Sequence, residues 1–117
     1  MRVGFIGLGN VGGKLSKNLL NNNFDLTVYD KDTDVLSEFK ALGSKIENSV
    51  DGLVRNTDML ITCLPSPEAC AEVLESDNGI INNIREGQIW IEMSTTDEDQ
   101  LKKHALLIQE KNAIALE

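Results

Sequence analysis

The chain has 117 residues, a net charge of −8, and hydrophobic and charged fractions of 41% and 26%. These values are typical of one soluble globular domain, and the acidic balance argues against nucleic acid or an anionic membrane as a partner. No apolar run approaches the roughly 20 residues that span a bilayer. The N-terminus enters a predicted strand almost at once and shows no secretory signal. We therefore expect a cytoplasmic protein.

Two cysteines, Cys63 and Cys70, lie in strand-like and helix-like surroundings. Their spacing matches neither a metal-ligand pattern nor a redox C-x-x-C motif. We expect two reduced, buried thiols and no metal site.

Strand-like and helix-like segments alternate along the chain. The predicted strands cover 2–7, 25–30, 44–47, 58–63, 88–92 and 113–116. The predicted helices cover 10–22, 33–42, 49–55, 67–75 and 97–111, with a short helical turn at 80–84. Such alternation implies right-handed crossovers, a parallel sheet and helices on both faces. We predict an α/β fold: a doubly wound Rossmann sheet of about six strands in the order 3-2-1-4-5-6.

The first predicted strand leads into Gly7-x-Gly9-x-x-Gly12 and then into a helix. In that setting the glycine pattern predicts a site for the pyrophosphate of a dinucleotide. Gly7 would let the chain turn off the strand, Gly9 would let a pyrophosphate approach the backbone, and Gly12 would let the helix pack close to the strand. The alternative interpretation is a glycine-rich turn that binds nothing.

The second predicted strand ends at Asp30, 18 residues after Gly12. In NAD-binding domains, the carboxylate that accepts the ribose hydroxyls lies roughly 20 residues after the glycine pattern, and Asp30 is near that position. A carboxylate there favours NAD and repels the 2′-phosphate of NADP. The next residue, Lys31, could offset part of that repulsion, although we interpret it as a solvated lysine.

The last predicted helix carries several ionisable residues. The acidic run at 97–99 is interpreted as stabilising the start of the helix rather than as a functional cluster. The basic residues that follow are expected to be exposed and to play no part in catalysis: Lys102, Lys103 and His104.

In a doubly wound sheet, ligands bind outside the carboxyl ends of the strands. Three predicted loops meet there: 8–11, 64–66 and 93–96. Ser94 and Thr95 could donate hydrogen bonds to a substrate carboxylate or to the nicotinamide amide, or they could cap the following helix. Leu64 and Pro65 could form an apolar wall against a cofactor, or simply the end of a buried strand.

Four motifs lie at these places: F-I-G-L-G-N-V-G at 5–12, Y-D at 29–30, I-T-C-L-P at 61–65 and I-E-M-S-T at 91–95. Together they resemble the β-hydroxyacid dehydrogenase family, which includes 3-hydroxyisobutyrate dehydrogenase, tartronate semialdehyde reductase and 6-phosphogluconate dehydrogenase. The resemblance runs along essentially the whole chain and is nearest to the 3-hydroxyisobutyrate branch.

The resemblance implies roles for particular residues. Pyrophosphate would be bound by the six residues of the turn: Gly7, Leu8, Gly9, Asn10, Val11 and Gly12. Asp30 would bind the adenosine ribose. Leu64, Pro65 and Thr95 would line the nicotinamide side, and Ser94 and Thr95 would reach the substrate.

The sequence also departs from the family pattern. Lys14-Leu15 stands where Pro-Met is frequent, Glu98 replaces a proline, and Glu92 stands where aspartate is usual. The family continues into an all-helical catalytic and dimerisation domain that supplies a lysine, and no lysine of this chain matches that motif. We therefore expect 1–117 to be an NAD-binding Rossmann domain without catalytic residues, inactive alone.

The resemblance implies an NAD-dependent oxidoreductase that transfers hydride between nicotinamide and a small 3-hydroxy acid, or its semialdehyde. NADP is the less favoured cofactor, and the family leaves a homo-oligomer open. The alternative function is a non-catalytic NAD-sensing Rossmann module. Such a module has no evident need for Leu64-Pro65 and Ser94-Thr95 at the nicotinamide end.

Overall fold

The computed structural model describes residues 1–94 and 97–116, which form a six-stranded parallel sheet with helices on both faces. The strands are β1 (Arg2–Ile6), β2 (Asp25–Tyr29), β3 (Lys45–Ile46), β4 (Met59–Thr62), β5 (Ile89–Glu92) and β6 (Ile114–Leu116). They lie in the order β3-β2-β1-β4-β5-β6, and every neighbouring pair is parallel. This order confirms the predicted Rossmann sheet.

The helices are α1 (Asn10–Asn21), α2 (Thr33–Ala41), α3 (Val50–Arg55), α4 (Pro67–Glu75), α5 (Ile80–Asn83) and α6 (Glu98–Glu110). All five predicted helices and the short helical turn are confirmed, with ends that differ by a residue or two. Within the described ranges, no helix has the length and apolar character needed to cross a membrane.

Side chains at the helix starts explain where four of the helices begin. Asp32, Ser49, Ser66 and Asp97 each accept hydrogen bonds from backbone N–H groups of the first turn, in α2, α3, α4 and α6 respectively. Such caps satisfy donors that the helix itself leaves without partners. The acidic run at 97–99 thus acts on the helix terminus, as interpreted from the sequence.

Successive residues of the central strands point to opposite faces, which creates two core layers. On one face, Phe5 and Val28 pack with Phe39 of α2. On the other, Leu60 and Trp90 pack with helices α3 to α6. Because both faces are covered, the carboxyl-end edge of the sheet is where a ligand can enter.

The prediction that His104 is exposed was wrong. His104 is only 1% exposed, its Nε2 lies 2.7 Å from Oε2 of Glu75, and its ring stands edge-on to Trp90. The available signal was its spacing from Leu101 and Ile108, which places it on the inner face of α6. Cys63 also departs from expectation, since it is half-buried rather than buried.

Candidate functional site

A cavity of about 620 Å³ opens at the carboxyl ends of the central strands. It is lined by residues of the β1–α1 turn, the end of β2, the β4–α4 loop, α4 and the loop after β5. The predicted site residues among them are Gly7, Gly9, Asn10, Val11, Gly12, Asp30, Leu64, Pro65 and Ser94. Leu8 is not among the lining residues, and Thr95 lies outside the described part of the chain.

Two of the three signature glycines are required by close backbone approach. Gly7 has a φ of +100°, and a Cβ there would collide with the carbonyl oxygen of Cys63. A Cβ at Gly12 would collide with the carbonyl oxygen of Gly7. The turn predicted at Gly7 and the close packing predicted at Gly12 are therefore confirmed. A Cβ at Gly9 would meet nothing within 4 Å, so this position faces open space.

The start of α1 differs from the four capped helices. Its N-cap residue, Gly9, provides no side-chain hydrogen bond, and its first turn contains no acidic residue. The carbonyl of Gly9 accepts the N–H of Gly13 at 2.6 Å, which closes the first turn of the helix. Gly9, Asn10, Val11 and Gly12 line the cavity. The first N–H groups of a helix have no acceptor within the helix and lie at the positive end of its dipole, an arrangement that favours an anion.

Asp30 joins the end of β2 to the glycine turn. Its Oδ2 accepts a hydrogen bond of 2.7 Å from the N–H of Leu8, and its Oδ1 accepts one of 2.8 Å from the N–H of Asp32. The Leu8 side chain is 5% exposed and packs in the core, so Leu8 contributes to the site through its backbone. Each carboxylate oxygen keeps lone pairs that can accept further hydroxyl groups.

Ser94 connects two loops at the other end of the cavity. Its Oγ accepts a hydrogen bond of 2.6 Å from the N–H of Leu64. Asp97, rather than Ser94, caps α6, so the capping interpretation of Ser94 is wrong. The hydroxyl proton of Ser94 remains available, since the bond to Leu64 uses only an oxygen lone pair.

Glu92 holds Ser94 in turn, a role that the sequence analysis missed. Its Oε1 accepts a hydrogen bond of 2.7 Å from the N–H of Ser94, and the residue is 6% exposed. The available signal was an acid two residues before a serine, a spacing that allows a side chain to accept a hydrogen bond from the nearby backbone.

Burial, together with the charge of Glu92, raises the pKa of the nearby Cys63 thiol. That thiol is therefore a poor nucleophile at neutral pH.

Glu72 lines the cavity and is a second residue that the sequence analysis missed. Its Oε2 lies 2.9 Å from Nζ of Lys31, which also lines the cavity. The hydrogen bond to Glu72 raises the pKa of the Lys31 ammonium. Lys31 is thus exposed, as predicted, but its charge is paired rather than simply solvated.

Known proteins match this chain over nearly its whole length. A family model described as the NAD binding domain of 6-phosphogluconate dehydrogenase matches residues 2–117. The mitochondrial 3-hydroxyisobutyrate dehydrogenase of Mus musculus is 36% identical over 115 residues, which cover 98% of this chain and 34% of the mouse protein. The chain therefore spans about a third of the length of the curated relatives it matches.

Solved structures share the fold. A structure described as Psf3 in complex with NADP+ and 2-OPP superposes with a TM-score of 0.93 at 22% identity, covering 97% of this chain and 40% of the other. The 3-hydroxyisobutyrate dehydrogenase of Mycobacterium tuberculosis, described with L-serine, gives a TM-score of 0.86 at 24% identity and covers 98% and 39%.

Proposed function

The chain belongs to the family of NAD-binding domains of 6-phosphogluconate dehydrogenase, and from this premise we propose that it binds NAD within an oxidoreductase. The proposed substrate is a small 3-hydroxy acid similar to 3-hydroxyisobutyrate, or its semialdehyde. When bound, nicotinamide supplies the hydride exchange, while the residues of this chain bind and orient the reactants.

The uncapped start of α1 is the observation that carries the proposal. Its N–H groups and dipole face a cavity that also contains Asp30. A diphosphate against Gly9, Asn10 and Val11 would accept those N–H groups. Asp30 would accept the ribose hydroxyls while it still holds the N–H of Leu8. Open space at Gly9 supports the same placement, since a backbone without a side chain allows close approach.

The opposite end of the cavity supports a role for the hydroxyl of Ser94. Leu64 and Pro65 present an apolar surface there, next to that hydroxyl. We assign Ser94 and Thr95 to the substrate, and Leu64, Pro65 and Thr95 to the nicotinamide side. The catalytic residues are assigned to a part of the whole protein outside this chain, since the relatives are about three times longer. The chain alone would then bind cofactor without turnover.

We assign NAD rather than NADP as the preferred cofactor. The carboxylate of Asp30 accepts hydroxyls well, and it repels a 2′-phosphate. A structural neighbour that shares the fold is described with NADP+, so the proposed preference for NAD rests on the charges of this chain.

The proposed partners are the dinucleotide and, in the whole protein, the hydroxy acid. We also propose a cytoplasmic location, although the mouse relative is mitochondrial by name. A homo-oligomer would depend on surfaces of the whole protein.

Titration of the chain with NADH tests the binding proposal. We expect saturable binding to the unaltered chain and at least a tenfold loss in Gly9→Asp, because a carboxylate would then occupy the phosphate position. Gly9→Ala adds a methyl group without a charge and separates the steric part of the loss from the electrostatic part. Binding by Gly9→Asp that equals that of the unaltered chain, or no binding by the unaltered chain, contradicts the proposal.

Turnover is tested separately with the whole protein and 3-hydroxyisobutyrate, by following NADH fluorescence. Production of NADH is expected. Binding without turnover of any short 3-hydroxy acid would favour the NAD-sensing alternative.

A further inference from the structure

An ion pair spans the part of the cavity next to Asp30. Lys31 follows β2, and Glu72 lies on α4, which follows β4. Because β2 and β4 flank β1 on opposite sides, the two side chains approach from opposite sides of the glycine turn. Their Nζ and Oε2 atoms lie 2.9 Å apart, and both residues line the same cavity as Asp30.

We propose that Glu72 is a specificity-determining residue: by holding the ammonium of Lys31, it keeps that charge from a 2′-phosphate and strengthens the preference for NAD over NADP. This inference rests on the proposed function, because it assumes that the ribose of the dinucleotide lies at Asp30.

The charges next to the ribose position support the assignment. Asp30 and Glu72 are acids and Lys31 is the single base among them, so these three side chains together carry a net charge of −1. A 2′-phosphate brings about −1.5 to −2 charges at neutral pH, whereas the 2′-hydroxyl of NAD is neutral. Removing the charge of Glu72 would therefore change the binding of NADP far more than that of NAD.

Lys31 is suited to contact a 2′-phosphate once its ammonium is no longer paired with Glu72. It is the residue next to Asp30, and its flexible four-carbon stem can redirect the ammonium. The side chains of Lys31 and Glu72 are 72% and 56% exposed. Exposed pairs of this kind contribute little to stability, so separating them should leave the fold intact.

The decisive variant is Glu72→Gln, because it removes the charge and keeps the size and helix propensity of the side chain. NADH affinity is measured by fluorescence titration, and NAD+ and NADP+ affinities by displacement of NADH. We expect the Kd for NADP+ to fall about three- to tenfold, the size of effect that one nearby charge in a partly screened site exerts, while the Kd for NAD+ changes less than about twofold.

Glu38→Gln is the matched control. Glu38 forms a comparable exposed ion pair, 3.4 Å from Nζ of Lys17, and neither residue lines the cavity. This control should leave both affinities unchanged. Adding Lys31→Gln to Glu72→Gln should abolish the gain for NADP+, and raising the salt concentration should reduce it.

Three outcomes separate the two proposals. Equal changes for NAD+ and NADP+ in Glu72→Gln overturn this inference and leave the proposed function intact. A gain that survives the added Lys31→Gln also overturns it, because the charge released would not be that of Lys31. Failure of the unaltered chain to bind either dinucleotide removes both proposals.

Discussion

The carboxylate of Asp30 accepts the backbone N–H of Leu8 at 2.7 Å, which ties the end of β2 to the glycine turn. The same side chain is the proposed ribose ligand, so one residue would both shape the turn and contact the cofactor. These two roles can be separated, because the amide oxygen of asparagine can still accept the N–H of Leu8 while carrying no charge, although its NH2 group cannot accept the N–H of Asp32 as Oδ1 of Asp30 does.

Asp30→Asn should therefore retain the turn and lose cofactor preference. We expect NADH affinity to fall about tenfold, or about 1.4 kcal/mol, while NADPH affinity falls less because the repulsion of the 2′-phosphate is removed. Calorimetric titrations with both cofactors measure the ratio. Asp34→Asn, in the exposed first turn of α2, is the control. An unchanged ratio in Asp30→Asn means that Asp30 is not the ribose ligand.

The middle and last glycines of the motif, Gly9 and Gly12, should differ in their tolerance of a methyl group. Gly12→Ala forces a Cβ against the carbonyl oxygen of Gly7, so we expect a loss of at least about 2 kcal/mol in the free energy of unfolding. Gly9→Ala places its Cβ in open space and should stay within about 0.5 kcal/mol of the unaltered chain. Urea denaturation compares them, and equal stability of the two variants would refute the backbone contact.

Ser94→Ala should leave the N–H of Leu64 without its acceptor. We expect a loss of about 1–2 kcal/mol in the free energy of unfolding and faster hydrogen exchange at the Leu64 amide. Ser66→Ala is the control, since it removes the cap on the amide of Ala69 instead. Amide exchange followed by NMR should show that the Leu64 amide stays protected in Ser66→Ala and that the Ala69 amide stays protected in Ser94→Ala. Undiminished protection of Leu64 in Ser94→Ala would contradict the assigned bond.

Asp58 should contribute to the loss of stability in acid. The guanidinium and backbone N–H of Arg2 lower the pKa of this carboxyl from 3.8 to about 2. Because the pKa is lower in the folded state, the contribution is present above pH 3.8 and disappears as the pH falls towards 2. Asp58→Asn should therefore be less stable than the unaltered chain at pH 5, and the difference should shrink by pH 2.

Urea denaturation at stepped pH measures that difference, and NMR titration of the Asp58 carboxyl checks the pKa itself. A stability difference that does not change with pH would show that the ion pair has no part in the acid response.

The parts of the fold and site that depend on local pattern can be predicted from the sequence. Gly7 and Gly12 were predicted correctly because a turn and a close approach need glycine, whatever the distant neighbours are. Asp30 was found because strand ends and motif spacing locate it along the chain. It reaches the cavity as predicted.

Other features of the site depend on contacts between distant parts of the chain. The ion pair of Glu72 joins it to Lys31, 41 residues away, and the hydrogen bond between Ser94 and Leu64, both predicted as site residues, spans 30. Nothing in the local pattern of α4 distinguishes Glu72 from a solvated glutamate. His104 was misplaced because histidine is intermediate between the usually buried and the usually exposed residue types, and its contact with Glu75 forms only when α6 packs.

The bare N-terminus of α1 also connects ligand binding with heat resistance. A side-chain cap contributes about 1 kcal/mol to a helix, and four other helices of this domain have one. A dinucleotide that occupies those amides would replace the missing cap and add its own binding free energy to the folded state. The melting temperature of the domain should consequently rise with cofactor concentration, which would make the available concentration of that cofactor a determinant of how long the folded protein survives.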